Sequence, residues 1–481
     1  MATPAFRTAT PLEAPRRGRT APPPSRKERL AIVSTSSKLC GIAAYTAALR
    51  RQLADSFDIT VFDLNQYLMR SPHRRVRRLA DGQVKEICRA LRPFDAVNLQ
   101  LEYGTLGRRP DDIYRRFCWL SDAAPRLSVT FHTLLTPPAF DIAVAARELV
   151  RLRLKPAGNL YAEYRRNRLL SLGIARQLRR LQARHQVSAI VHNRRDLCDV
   201  RYLYGLKRVF DHPLAYLAAD EIAAIRAGAS RRRFPMLDPL PEDAVLIGVF
   251  GFLNEYKGIG TAIQALHHLP ANHHLLVFGG VHPQHITARQ PRHPYISSLF
   301  DNAYIDTTPY DRHLAGAPQP PQLVVSAASG LHDLLGAHPR DLSARIHFMG
   351  ALGEDDFLAG MAICDSVVFP YLEVGQSSSG PISQALELGC RIVASRTHTF
   401  LEFAEYHKDK VEFFDIGNHL ELAERLLARR QFAPHRGLPE FNVATNRAVY
   451  LLANSDVAEL QMPLDREADR LGASEEALIA G

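Results

Sequence analysis

The sequence predicts an α/β protein made of two Rossmann-like domains, each a doubly wound parallel sheet. From Leu30 onward, short apolar runs rich in β-branched residues alternate with helical stretches long enough to serve as crossovers. This alternation occurs twice, in two series of similar size separated by the proline-rich segment Pro235-Met236-Leu237-Asp238-Pro239-Leu240-Pro241. The chain has 481 residues, enough for about two to four domains.

In the first series the expected strands are Leu30–Ser34, Ile59–Asp63, Ala96–Leu101, Leu127–Phe131 and Ala189–His192. In the second they are Val245–Phe250, His274–Phe278, Leu323–Ser326, Ile346–Met349, Val367–Phe369, Ile392–Ser395 and Val411–Phe414. The prolines of Asp311–Gln322 mark an exposed loop. The expected organisation is a disordered basic tail over 1–28, a first domain over 29–235, a second over 242–430, and a helical segment with a tail over 431–481. Ligands of doubly wound sheets bind beyond the carboxyl ends of the strands, so the loops after these runs are where chemistry is expected.

Several classes are disfavoured. The longest apolar stretch, Ala244 to Leu253, is half of what a membrane helix needs and reads as a buried strand. Cys40, Cys88, Cys118, Cys198, Cys364 and Cys390 form no C-x-x-C pair, which points to a reducing, cytoplasmic setting. Gly258-Ile259-Gly260 has Ile263 where a dinucleotide fingerprint needs its third glycine, so it reads as a tight turn into a helix. His267, His268, His273, His274, His282 and His285 contain no i, i+4 pair of the kind that binds zinc on a helix, and no metal is expected.

The most informative segment runs from Ser366-Val367-Val368-Phe369 into Gln376-Ser377-Ser378-Ser379-Gly380-Pro381. A buried strand enters a Ser/Gly loop, Pro381 stands where a helix begins, and Gly389 stands where it ends. Such a loop offers backbone N–H groups and hydroxyls to an anion at the positive end of a helix. Taken alone it is also compatible with a simple capped turn. A second loop, Phe250-Gly251-Phe252-Leu253-Asn254-Glu255-Tyr256-Lys257-Gly258, carries Lys257, read either as a point charge for a diphosphate or as a solvated surface lysine.

Together with Phe278-Gly279-Gly280, these two segments resemble the carboxy-terminal half of family 4 retaining glycosyltransferases, in a Gln-x-x-Ser-Gly form of the loop. Ser34-Thr35, Cys40-Gly41-Ile42-Ala43, Asn98-Leu99-Gln100-Leu101-Glu102-Tyr103-Gly104 and Thr130-Phe131-His132-Thr133 are similar to its amino-terminal half, so the likeness runs from about Leu30 to Glu424.

The resemblance implies a GT-B fold, with two Rossmann-like domains facing across a cleft. The second domain would hold a nucleoside-diphosphate sugar and the first a saccharide or lipid-linked acceptor, with no metal or other cofactor. By that likeness Lys257 binds the diphosphate, and the backbone of Ser378, Ser379 and Gly380 receives its distal phosphate. Gly41 lets the chain approach the donor, and His132 donates a hydrogen bond to the sugar or phosphate; the plainer reading of His132 is a capped strand end. Many members carry two glutamates where this chain has Gln376 and Gln384, and an arginine where it has Phe252. Glutamine accepts hydrogen bonds but supplies no negative charge, which leaves open a catalytically silent protein that only binds nucleotide sugar or a partner enzyme. Glu373 and Glu387 are nearby carboxylates. Glu387 is read either as a ribose ligand or as an ordinary solvated helix residue.

The formal charge is +10, from 60 Lys+Arg against 50 Asp+Glu, and much of it is clustered. Eleven Lys/Arg against two acids fall between Arg147 and His185, and Arg70, Arg74, Arg75, Arg77 and Arg78 form a second group. Basic residues interleaved with leucines and tyrosines at helical spacing suit an anionic membrane surface, or an ordinary solvated face. No nucleic-acid motif or stacking platform accompanies them, and no nucleic-acid partner is expected.

Overall fold

The computed structural model describes residues 26–36, 41–135, 140–151, 153–281, 294–303, 342–428 and 438–455. Most of the expected basic tail, the strand Leu323–Ser326, the loop Asp311–Gln322, Cys40, His282, His285 and the chain after 455 lie outside the described residues.

The first sheet contains β1 (Glu28–Ser34), β2 (Phe57–Asp63), β3 (Ala96–Leu101), β4 (Leu127–Phe131), β5 (Val187–Val191) and β6 (Arg208–Asp211), in the order β2-β1-β3-β4-β5-β6. The second contains β7 (Val245–Phe250), β8 (His273–Phe278), β9 (Ile346–Gly350), β10 (Ser366–Phe369), β11 (Ile392–Ser395) and β12 (Val411–Phe414), in the order β12-β11-β10-β7-β8-β9. Every pairing between these strands is parallel. Strand order reverses between β1 and β3 in the first sheet and between β7 and β10 in the second. These are the switch points where crevices open at the carboxyl ends of strands.

Crossover helices pack on the sheets, and β3, β4, β5, β10 and β11 are wholly buried. The helices used below are α1 (Gly41–Leu53), α2 (Arg74–Ala90), α3 (Pro110–Ala123), α4 (Leu154–Gln182), α5 (Arg194–Cys198), α6 (Ile259–Leu266), α7 (Gly380–Glu387) and α8 (Val443–Asn454). Although last in sequence, α8 packs on α1 and on β3 to β6 of the first sheet. The contact is a polar seam: Ser128 donates to Asn454 at 2.6 Å, Thr130 and Tyr450 share a hydrogen bond of 2.9 Å, and Tyr45 donates to Asn446 at 3.3 Å. The expected linker is packed rather than free. Residues 235–237 form a 3-10 turn, Phe234 and Leu237 are buried, and the Phe234 ring meets Phe278 edge-on at 6.0 Å.

The basic clusters divide between internal pairing and solvent. Arg77 on α2 pairs with Asp112 of α3 at 3.0 Å, and the fully buried Arg116 of α3 pairs with Asp81 at 2.8 Å. On α4, Leu170, Ile174, Leu178 and Leu181 face the core, while Arg165, Arg166, Arg168, Arg176, Arg179 and Arg180 are exposed. Among the described residues, no helix is long and apolar enough to cross a membrane.

Candidate anion-binding cleft

Both loops singled out in the sequence flank the switch point of the second sheet. After β7 the chain makes a 3-10 turn over Glu255–Lys257 and enters α6 through Gly258, at φ 61°. This turn packs against the chain leaving β10, where Leu372 N–H donates to Tyr256 O at 2.7 Å.

Lys257 is buried, which rules out the solvated-surface reading. Its ammonium donates to the Tyr371 hydroxyl, 3.9 Å from that ring's centroid and 4.9 Å from the centroid of Tyr256. Among the described residues no ion pair reaches it, and burial pushes its pKa down to about 7. Tyr371 continues the chain of contacts to Ser379, hydroxyl to hydroxyl, at 3.2 Å. Ser379 is the N-cap of α7, and its side chain makes no capping bond because it is turned to Tyr371. The first turn of α7 therefore presents N–H groups without a side-chain cap, one hydroxyl away from a buried cation.

Ser378 and Gly380 are half-buried on either side of Ser379. A Cβ at Gly380 would lie 2.5 Å from the Tyr216 hydroxyl, so the first domain presses on the start of α7. Gln376 is half-buried; its carbonyl accepts from Thr399 at 2.5 Å and its side chain bonds the Tyr256 hydroxyl. Gln384 is buried within α7.

Glu387 is neither solvated nor turned to the loop. It is buried, and its two oxygens accept the backbone N–H groups of Tyr216 at 2.7 Å and Leu217 at 3.3 Å, with burial pushing its pKa up to about 8. Its carboxylate thus clasps the chain leaving β6.

From the first domain, His132 follows β4 with its ring buried. Its Nε2 lies 2.8 Å from Gln100 Oε1. The Gln100 amide nitrogen donates to Asn98 and Thr130, so Oε1 is the acceptor and His132 Nε2 carries the proton. Burial, and secondarily His192 at 5.3 Å, hold the imidazole well below its usual pKa. In this neutral form the remaining nitrogen, Nδ1, accepts. In this tautomer a donation from His132 to a sugar or phosphate would require Nδ1 to be protonated as well.

Gly41 is exposed at the start of α1, beyond β1, and a Cβ there would meet no protein atom within 4 Å. Two residues not anticipated from the sequence belong to the cleft. Glu102, after β3, accepts from Thr133 at 2.9 Å, and burial raises its pKa. His192, after β5, donates from Nδ1 to His212 O at 3.0 Å, which leaves its buried Nε2 without a partner beside Ser377, Ser378 and Ser379. Among the described residues no group of three or more His, Cys, Asp or Glu side chains is placed to hold a metal ion.

No family model and no curated protein matches this chain. Solved structures do. HepE from Anabaena, in complex with UDP and glucose, is 15% identical over 88% of this chain and 98% of its own, with a TM-score of 0.52. UDP-forming trehalose-phosphate synthases from Burkholderia xenovorans and Burkholderia vietnamiensis are 13% and 12% identical, cover 89% and 94% of this chain and 98% and 99% of theirs, and have TM-scores of 0.53 and 0.52. The fold is GT-B. The two domains meet beside the loop, where Leu134 of the first donates its N–H to Ser377 Oγ of the second at 3.2 Å.

Proposed function

We propose that this chain is a retaining, metal-independent glycosyltransferase that moves a sugar from a nucleoside-diphosphate sugar to a saccharide or lipid-linked acceptor, in the assembly of a surface polysaccharide. The observation that carries this reading is Lys257, a buried ammonium without an ion pair among the described residues, linked through Tyr371 to Ser379 at the start of α7. An isolated buried charge is costly unless it is paired, and a diphosphate is the partner this geometry suits.

Two positive features, the ammonium and the helix N-terminus, would stabilise the departing diphosphate, the task a divalent cation performs in other transferases. Ser378, Ser379 and Gly380 would receive the distal phosphate. Gly41 leaves room for the sugar, and Gln376 and Gln384 would bond its hydroxyls or those of the ribose. The acceptor hydroxyl would attack from the face the diphosphate leaves, with the leaving phosphate taking its proton. His132 Nδ1 would accept from a donor-sugar hydroxyl. The UDP bound by HepE makes UDP the first nucleotide to try.

The exposed arginines of α4 lie beside exposed Leu160 and Tyr161. This face would rest on anionic lipid at the inner side of a membrane, where a lipid-linked acceptor is met. Co-sedimentation with vesicles containing anionic lipid, lost at high salt, is the expected result; no binding at low salt would remove this part of the reading.

The deciding experiment is a thermal-shift screen over UDP, GDP and ADP, followed by incubation with the matching labelled nucleotide sugars and a lipid extract. Stabilisation by one diphosphate and transfer or slow hydrolysis of its sugar are expected. Binding without any turnover would identify a silent nucleotide-sugar-binding protein. No binding by any of the three would overturn the reading altogether.

A further inference from the structure

The loop from Ser377 to Gly380 belongs to the second domain, yet its first serine is held entirely by the first. The Ser377 hydroxyl accepts Leu134 N–H at 3.2 Å. The Ser377 carbonyl accepts from Asn193 Nδ2 at 3.0 Å. Ser377, Asn193 and Asp196 are all buried, with exposures of 3%, 1% and 2%.

Asn193 uses both ends of its amide. Its Oδ1 accepts Asp196 N–H at 2.7 Å and caps α5, which fixes the side chain so that Nδ2 points across the cleft. The residue that caps the short helix beyond β5 therefore holds the main chain of the residue that begins the anion loop, while Leu134 holds its side chain.

We propose that Asn193 is a positioning residue for the diphosphate site. The first domain sets the conformation in which Ser378, Ser379 and Gly380 offer their N–H groups, so donor affinity depends on side chains that never touch the donor. This rests on the reading of the loop as a diphosphate site. The physical reason is preorganisation. A Ser-Ser-Ser-Gly segment has many accessible backbone conformers, and a loop already held in the binding one loses less freedom when the anion arrives. The same contacts couple the two domains, because the loop keeps this shape only while α5 lies against it.

Asn193→Ser tests the idea, since serine caps a helix as well as asparagine but is too short to reach the Ser377 carbonyl. Asn193→Asp keeps both size and cap and turns the crossing donor into an acceptor facing an acceptor. The affinity of each variant is measured by calorimetry for the diphosphate that binds the wild-type protein in the UDP, GDP and ADP screen, and separately for its parent nucleoside.

The expected result is about tenfold weaker diphosphate binding for Asn193→Ser, a larger loss for Asn193→Asp, and unchanged nucleoside binding, as the net worth of one buried hydrogen bond suggests. Wild-type diphosphate affinity in both variants would overturn the inference, and so would equal losses for diphosphate and nucleoside, the mark of a general structural defect. If the wild-type protein binds none of the three diphosphates, the functional reading itself fails and takes this inference with it. If Asn193→Ser does not fold, Asn193→Asp carries the comparison.

Discussion

The ammonium of Lys257 donates to the hydroxyl of Tyr371 and lies 3.9 Å from that ring's centroid, so a buried cation is held by an aromatic side chain with no carboxylate partner among the described residues. The arrangement stabilises the charge only in part, since burial brings the pKa down to about 7.

Replacing Lys257 by methionine should therefore separate stability from function. Removing an unpaired buried charge in favour of an apolar side chain of similar length raises stability, while diphosphate binding is lost. The pH dependence has a definite sign. Burial lowers the folded pKa from the ordinary lysine value of 10.5 to about 7, so the unfolded chain binds more protons between these values and wild-type stability rises with pH across that window. The advantage of the Lys257→Met variant is largest below pH 7 and shrinks toward pH 10.5. In the wild-type protein a bound diphosphate restores the charge, so its affinity falls above pH 7, by up to about tenfold per pH unit. Denaturation midpoints and calorimetric titrations at pH 6, 8 and 9.5 check both halves.

Gly258 and Gly41 should respond to alanine in opposite ways. Gly258 has φ 61°, and a Cβ there would lie 1.8 Å from the Pro370 carbonyl oxygen, where backbone meets backbone and neither can yield. Gly258→Ala is expected to cost roughly 3 kcal/mol or more, or to prevent folding. Gly41 faces open space, so Gly41→Ala should leave stability within about 0.5 kcal/mol of wild type while weakening nucleotide-sugar binding. Urea denaturation of each variant, with donor titration of the second, distinguishes a glycine required by the fold from one required by the ligand.

Much of the scaffold was legible because buried parallel strands are nearly continuous apolar runs, as in Leu127–Phe131 and Val245–Phe250. Strand β6 was not: Arg208–Asp211 is a four-residue edge strand, paired on one side only, with a charge at each end. In the site, the Ser/Gly loop and Lys257 were visible as residue types after strands. The burial of Lys257 was not, since it depends on Tyr371, 114 residues further along the chain. The same holds for Glu387, whose partners Tyr216 and Leu217 precede it by 171 and 170 residues. Asn193 carried an N-cap pattern, Asn-x-x-Asp before a short helix, but nothing local reveals that its second hydrogen bond reaches Ser377.

The His132–Gln100 contact makes a spectroscopic prediction. With its Nε2 proton on Gln100 Oε1 and its pKa held well below the ordinary value by burial, the ring should remain neutral and Nε2-protonated as pH falls from 8 to 6. Nitrogen chemical shifts of the His132 ring report this directly, and titration near pH 6.5 would contradict it. His132→Ala should lower turnover by about a hundredfold or more while leaving diphosphate affinity near wild type, as the proposed contact of the ring with the donor sugar requires.

Glu387 makes the last prediction. Two backbone N–H groups favour its charged form, but burial outweighs them and pushes the pKa from the ordinary glutamate value of 4.5 up to about 8. Between these two values the folded protein binds more protons than the unfolded chain, so stability attributable to this group is complete below pH 4.5 and is lost as pH rises through 8. Glutamine at this position still offers a carbonyl oxygen to Tyr216 N–H and does not titrate. The Glu387→Gln variant should therefore lack this descent, and the wild-type protein should lose stability relative to it by up to about 1.4 kcal/mol per pH unit within the window. Denaturation curves of both proteins at pH 5, 6.5 and 8 provide the measurement. Parallel pH profiles would show that the Glu387 carboxylate enters the clasp on Tyr216 and Leu217 already charged, its desolvation offset by those two N–H groups.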